Sequence, residues 1–401
     1  MGKSASSLAN KQAWKFAFIA AVFLRLILGV VVYFSWSYFR PFSQSTVPLE
    51  KIKALYGRVT VYNTPPWDGL LTAWFRWDAV HYLNLAQFGY HAHSTGSSLF
   101  YPLYPLFIRL VAMFFWENIF FSALFVSTVS FIFYLSGFYL LTHEYFDDEI
   151  AKWSRLAILC YPFSVFLLAP FSEPLYLALT IWMFLAASKQ KWLIAGILGF
   201  ASGLTRGPAL LSSLALLTLL FAQHLKSRRN FSILFLGRNA SALSPFIGGW
   251  TFLIWRHTQG YPPIPQVLAE YGIELKNPVT AMVAAIAQWM HVMDFYTTID
   301  LLSAALFLTI FVVIVSRREK YPFYLTVYYA SNLLFYLSKI HHEASSLQSM
   351  SHYVLTLFPA FWVIGEWLST QRPLFRFTIL VISFGMLLIF CGLYTMWVFI
   401  G

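Results

Sequence analysis

From Phe16 to Trp36 the chain is apolar except for one charge, Arg25, and such a run is about the length a helix needs to cross a bilayer. Runs like it recur along the sequence, and they narrow the fold more than any other feature. In hydrocarbon each backbone N–H and C=O must find its partner within the segment, so a spanning segment of this kind is a helix. Composition agrees: 59% hydrophobic and 11% charged residues over 401 positions cannot be hidden inside one soluble core. The expectation is an all-α polytopic membrane protein, residues 1–401 forming one integral membrane domain. A formal charge of +11 would suggest nucleic acid in a soluble protein; here it reads as basic cytoplasmic loops, and no nucleic-acid partner is expected. The first run is too long for a cleaved signal sequence and no clear small-residue cleavage site follows it, so it counts as the first span.

Lys3, Lys11 and Lys15 precede that span and place the N-terminus in the cytoplasm. The polar stretch after it then lies outside, and residues 37–117 read as a large first external loop carrying juxtamembrane helices. Phe100 to Trp116, broken by Pro102, Pro105 and Arg109, reads as a helix lying at the interface. Leaving it out of the span count puts Lys189, Lys191, Lys226, Arg228, Arg229, Arg238, Arg317, Arg318, Lys320, Arg372 and Arg376 on the side of the N-terminus. Spans are then expected at 119–141, 153–169, 174–187, 192–204, 208–225, 243–255, 295–315, 321–337, 353–368 and 375–399, about eleven in all, with the C-terminus outside. Residues 256–294 form a second external loop.

Cys160 and Cys391 sit in apolar runs and offer neither a disulfide framework nor a paired-cysteine zinc site. Trp and Tyr gather near span ends, as interfacial belts do. Two sequons, Asn230-Phe231-Ser232 and Asn239-Ala240-Ser241, fall in a cytoplasmic loop and should stay unmodified. No internal repeat stands out, and neither phosphate-cradling glycine motif of nucleotide sites is present.

The polar groups with chemical potential collect on the external side, above all in Arg76-Trp77-Asp78-Ala79-Val80-His81-Tyr82-Leu83, which runs on to Gly89-Tyr90. On a helix Asp78, His81 and Tyr82 share a face, and Gly89 would end that helix. A carboxylate beside an imidazole and a phenol at a membrane surface can take a proton from an attacking hydroxyl. Equally, Asp78 could cap a short amphipathic helix while Arg76 meets lipid headgroups and the aromatics anchor the interface. Both readings stay open on the residues alone.

The block from Arg76 to Tyr90, with Phe100-Tyr101-Pro102-Leu103-Tyr104-Pro105 after it, resembles the signature of the PIG-V family of mannosyltransferases. The likeness continues in Ser172-Glu173-Pro174-Leu175, in Gly203-Leu204-Thr205-Arg206-Gly207-Pro208 and, more faintly, in His352-Tyr353 with Phe358-Pro359. The chain departs from the bacterial relatives it resembles in having Gly207 between Arg206 and Pro208, and His352 where they carry arginine. The resemblance implies a GT-C-type fold and a glycosyltransferase that takes a hexose, mannose by the family, from a polyprenyl- or dolichyl-phosphate. It implies transfer with inversion to a lipid-linked or membrane-associated acceptor. By the same likeness Asp78 is the catalytic base with His81 beside it, and Arg76, Tyr82, Glu173, Arg206 and His352 serve the donor phosphate or substrate. No metal or other cofactor is expected.

Each outlying residue has a plain alternative. Arg206 between two apolar runs fits a lipid phosphate, but also snorkelling or pairing with Glu173. Glu173 between prolines could hold acceptor hydroxyls or sit in water. A neutral His352 is a weaker anion partner than arginine. Asp68 reads as a turn residue, His91 and His93 as loop histidines, and His341-His342-Glu343 lacks the spacing of a helical zinc motif. Two other function classes compete with the transferase: a transporter or flippase of lipid-linked saccharide, and a noncatalytic subunit of a membrane glycosylation complex. The first would line its path with mid-span polar groups, for which Arg25, Ser130, Ser136 and Asn332 are the candidates. The expected location is a bacterial plasma membrane with the site outside, or an endoplasmic reticulum membrane with the site lumenal.

Overall fold

A computed structural model describes residues 3–39, 71–90, 95–227, 233–342, 345–398 and 400. Asp68, His91, His93, the Asn230-Phe231-Ser232 sequon and Glu343 lie outside the described residues. Described helices follow in order: α1 (Lys3–Phe34), α2 (Asp78–Phe88), α3 (Leu103–Ala112), α4 (Ile119–Thr142), α5 (Asp148–Cys160), α6 (Glu173–Ser188), α7 (Trp192–Gly203), α8 (Ser212–Ser227), α9 (Ile233–Ala242), α10 (Ser244–Thr258) and α11 (Ile264–Glu270). The strand β1 (Ile273–Leu275) precedes α12 (Pro278–Val292), α13 (Phe295–Ser316) and α14 (Phe323–Tyr336); β2 (Lys339–His341) precedes α15 (Pro359–Thr370) and α16 (Pro373–Thr395). Helix starts follow local chemistry. Asp294 caps α13 by accepting from the Thr297 N–H at 2.7 Å, Asn277 caps α12 through the Thr280 N–H, and prolines open α15 and α16 where a missing N–H costs nothing.

Among the described residues, five stretches are long and apolar enough to cross a membrane: Asn10–Tyr38, Ile119–Thr142, Gly207–Lys226, Phe295–Ser316 and Pro373–Thr395. The protein is thus mostly helical and membrane-embedded. Several expected spans are shorter than a full crossing, and the causes are local. Pro162 ends α5 at Cys160, and residues Ser164–Leu167 form a 3-10 turn, so the expected span 153–169 is not one helix. Near His352 a single turn (Met350–Tyr353) and a 3-10 turn precede α15, which therefore begins at Pro359 rather than at Tyr353. The stretch 256–294 contains α11, β1 and α12, none of which was expected there.

The chain forms two compact units. One draws on residues 1–136, 156–178 and 372–400. Within it α1 packs against α16 and turns Ala13, Ala17, Ala21, Leu24, Leu28 and Val32 inward at helical spacing, while Phe18, Phe23, Leu26 and Val30 are exposed. Arg25, on the inward side, donates to the Thr128 hydroxyl at 2.7 Å and to the carbonyls of Leu124 and Leu168, and its guanidinium lies 4.7 Å from the Trp74 ring centre. Helix α3 buries Tyr104, Ile108 and Ala112 and exposes Leu106 and Leu110, and its 10 residues cover only about 15 Å.

The other unit draws on residues 137–155 and 179–371. One tight joint in it is the crossing of α7 and α10. A Cβ placed on Gly203 would lie 2.2 Å from the Pro245 carbonyl oxygen, and one on Gly248 2.2 Å from that of Phe200. Only glycine permits backbones to approach this closely, the small-residue contact typical of membrane helices. Polar ties join other pairs: Thr180 to Ser202 at 3.0 Å and the Trp362 indole N–H to the Thr142 hydroxyl at 2.6 Å. Strands β1 and β2 pair antiparallel, Glu274 opposite Ile340.

Candidate active site

Helix α2 carries the centre of the sequence motif. It starts at Asp78, and Trp77 before it stands at φ 56°, a backbone region costly for a residue with a side chain. Asp78 is therefore the first helical residue and not the cap. Gly89, at φ 74°, ends the helix with its N–H on the Leu85 carbonyl, as expected. The amphipathic alternative does not describe this helix, because Ala79 through Ala86 are all buried. Asp78 alone in the first turn is exposed, at the helix end where backbone dipoles favour a negative charge.

What holds Trp77 in its strained geometry is visible on both sides. Arg76 is fully buried, its guanidinium carbon 5.0 Å from the Trp36 ring centre and 4.9 Å from that of Trp397. Its Nε donates to the Thr395 carbonyl at 2.8 Å, and one terminal nitrogen donates to the carbonyls of Thr72 and Phe75. The Tyr394 hydroxyl donates to the Trp74 carbonyl at 2.7 Å. These contacts are those of a structural clamp that ties the segment before α2 to the end of α16.

His81 and Tyr82 point inward. The His81 Nδ1 hydrogen-bonds the Ser97 hydroxyl at 3.0 Å, and its ring stacks on Phe100 with centres 4.5 Å apart. The Tyr82 hydroxyl shares a 2.6 Å hydrogen bond with Ser172, and its ring meets Phe100 and Tyr104 edge-on. Tyr104 in turn bonds Ser127 at 2.7 Å, and burial pushes its phenol well above the usual tyrosine range, so it stays protonated. Glu173, next to Ser172, opens α6 and is buried; it does not sit in water. At Arg109 the guanidinium donates to the carbonyls of Ala86 and Gln87, closing the last turn of α2.

One unit thus brings together Arg76, Asp78, His81, Tyr82 and Glu173. Arg206 and His352 belong to the other. Arg206 is half-buried, in extended backbone just before a 3-10 turn at Gly207–Leu211. His352 is buried, its ring 4.4 Å from that of Tyr353, which stacks on Tyr336 and carries the Lys339 ammonium 4.5 Å above it.

Sequence reasoning missed Asp300. It lies on α13 at 5% exposure and holds the segment before His352, bonding the Ser345 side chain and the Met350 and Ser351 backbone N–H groups. An acid inside an otherwise apolar run was the signal available. On the hairpin, His341 is buried, while exposed His342 bonds Glu274 at 3.1 Å. Among the described residues no three His, Cys, Asp or Glu side chains gather as metal ligands would.

Compared with known proteins, the chain matches no protein-family model and, at a significant level, no curated protein.

Proposed function

We propose that this chain is a membrane glycosyltransferase that moves a hexose, mannose by its resemblance to the PIG-V family, from a polyprenyl- or dolichyl-phosphate to a glycolipid or other membrane acceptor. In this reading the fold is of GT-C type with about eleven crossings, some made by short or broken helices. The site faces the outside of a bacterial plasma membrane or the lumen of the endoplasmic reticulum. One observation carries the proposal: Asp78 is the exposed residue of an otherwise buried first turn, held on a helix whose entry is clamped by Arg76 and two tryptophans. A carboxylate presented on so fixed a support suits a general base.

The acceptor oxygen attacks the anomeric carbon and gives its proton to the Asp78 carboxylate. The bond from that carbon to the phosphate oxygen breaks, and the lipid phosphate leaves with the electron pair. His81, held by Ser97 and Phe100, keeps the helix in register rather than touching the sugar, and Glu173 is the carboxylate that the resemblance assigns to the substrate. The resemblance gives Arg206 and, more weakly, His352 a part in binding the donor phosphate.

The flippase reading draws less support. Three of the four polar groups that would line its path are tied to nearby groups: Ser136 donates to the Phe133 carbonyl, Asn332 to that of Tyr328, and Arg25 to Thr128, Leu124 and Leu168.

The test is transfer from radiolabelled polyprenyl-phosphate-mannose to lipid acceptors in membranes containing wild type or Asp78→Asn. The variant keeps shape and removes the base, so turnover should fall by about 10²–10⁴-fold with donor affinity little changed. Full activity in a well-folded variant would remove Asp78 from the mechanism, and the absence of transfer by wild type would count against mannose on this carrier and leave another donor and the noncatalytic subunit to be told apart.

A further inference from the structure

Helix α12 is built inside out. Val279, Val283, Ile286 and Met290 recur at helical spacing and form one stripe, exposed at 73, 61, 44 and 63%. The opposite side is the packed one: Ala281 and Ala285 are buried, and the Gln288 side chain accepts from the Ser346 N–H at 2.6 Å. On its flank the Trp289 indole N–H donates to Thr298 of α13 at 3.0 Å. A helix on a water-facing surface would do the reverse, burying the larger apolar side chains and exposing the small and polar ones. Residues 278–292 hold no Asp, Glu, Lys or Arg; charges begin just outside, at Glu274 and Lys276 before the helix and Asp294 after it.

Those flanks fix the orientation. Glu274 is ion-paired with Lys276 at 2.6 Å and bonded to exposed His342, and these partners hold its carboxyl below the usual range. That end of the helix is therefore in water. At the other end Asp294 caps α13 where that span begins. Both ends carry polar groups, and 15 residues or about 22 Å of helix fall short of the roughly 30 Å hydrocarbon core; with its large apolar side chains all on one stripe, the helix fits a position along the membrane better than one across it. Exposed Met293 and Phe295 join the stripe to the outward apolar face of α13, where Leu302, Leu306 and Val312 are exposed. We propose that α12 is an in-plane membrane helix whose valine, isoleucine and methionine stripe is immersed in lipid, in the leaflet where α13 begins. The occupant of this surface is the acyl-chain region of the bilayer, because the stripe is continuous with a face that already requires it. The assignment stands apart from sugar transfer and holds whatever reaction the protein performs.

The full-length protein in phosphatidylcholine liposomes provides the test, with single cysteines introduced as V283C and M290C in the stripe and H291C on the exposed flank, and wild type as background for Cys160 and Cys391. Each is treated with a membrane-impermeant maleimide and, separately, labelled with an environment-sensitive fluorophore before reconstitution with nitroxide-bearing lipids. Positions 283 and 290 should react about tenfold or more slowly than 291 with the maleimide, and their fluorescence should be quenched by the acyl-chain nitroxide. Reaction of all three at similar rates without quenching would overturn the proposal in favour of a water-facing stripe. Protection without quenching would overturn it too, by showing the stripe covered by protein, and V279C serves as a further stripe position if one variant fails to fold.

Discussion

The α2 region and the α7–α10 crossing bring backbone segments together in an apolar chain by opposite means. Around α2 the joints are polar side chains closed on one another: Tyr82 on Ser172, His81 on Ser97, Arg76 on three carbonyls. At the crossing the joint is an absence of side chains, with Gly203 and Gly248 against carbonyl oxygens. Geometry is set by donors and acceptors in the first case and by bare volume in the second. The first region should resist changes in size and suffer from lost hydrogen bonds; the second should do the reverse.

The comparison can be broken most sharply at the crossing. Gly203→Val places atoms where the Pro245 carbonyl and the Gly249 nitrogen already lie, and should cost about 3 kcal/mol, seen as a large drop in detergent melting temperature. Gly237→Ala, with open space around it, should stay within about 0.5 kcal/mol of wild type. If both behave alike, close approach is not what holds α7 to α10.

Around α2 the order of effects should follow hydrogen bonding. Arg76→Lys removes the planar fork and its place between Trp36 and Trp397, and should lower stability by about 2 kcal/mol while leaving donor affinity in place. A large rise in donor Kd without loss of stability would instead return Arg76 to the phosphate. Tyr82→Phe keeps the ring contacts to Phe100 and Tyr104 and loses the bond to Ser172; about 1 kcal/mol is expected, measured by denaturant titration.

The smallest effect is on the hairpin. Burial lowers the His341 pKa to about 4, below the ordinary value near 6.5. Between those values the unfolded segment binds a proton that the folded one does not, so local stability is complete above about pH 6.5 and declines as pH falls toward about 4. Protection factors for amide exchange in residues 338–342, the rates corrected for their intrinsic pH dependence, should fall between pH 7 and pH 5 in wild type and stay flat in His341→Gln. A flat wild-type profile would show that the imidazole is not held neutral by its surroundings.

The sequence made helical class and membrane embedding legible because both are written in local composition and period. The C-terminal end of α2 was readable too, since Gly89 can take the positive φ that ends the helix; its start, at Asp78 behind a strained Trp77, was not. The partners of the candidate site were not. Nothing near Tyr82 names Ser172, and nothing near Arg76 announces that Trp36 and Trp397 flank it; both facts depend on tertiary packing. Helix α12 escaped for a different reason. Pro262, Pro263 and Pro265 made the whole stretch look like loop, while alanines on its packed face blurred the period that would have marked a helix.

The clamp on Arg76 also bears on how the protein is made. Thr395, Tyr394 and Trp397 complete the surroundings of residues 74–77, more than three hundred positions downstream. The segment carrying Asp78 therefore leaves the ribosome long before half of what fixes it exists, and it must wait at the membrane with its guanidinium covered by Trp36 on one side alone. Translation arrested before residue 394 would yield a chain with most of its helices inserted and the candidate site still unformed.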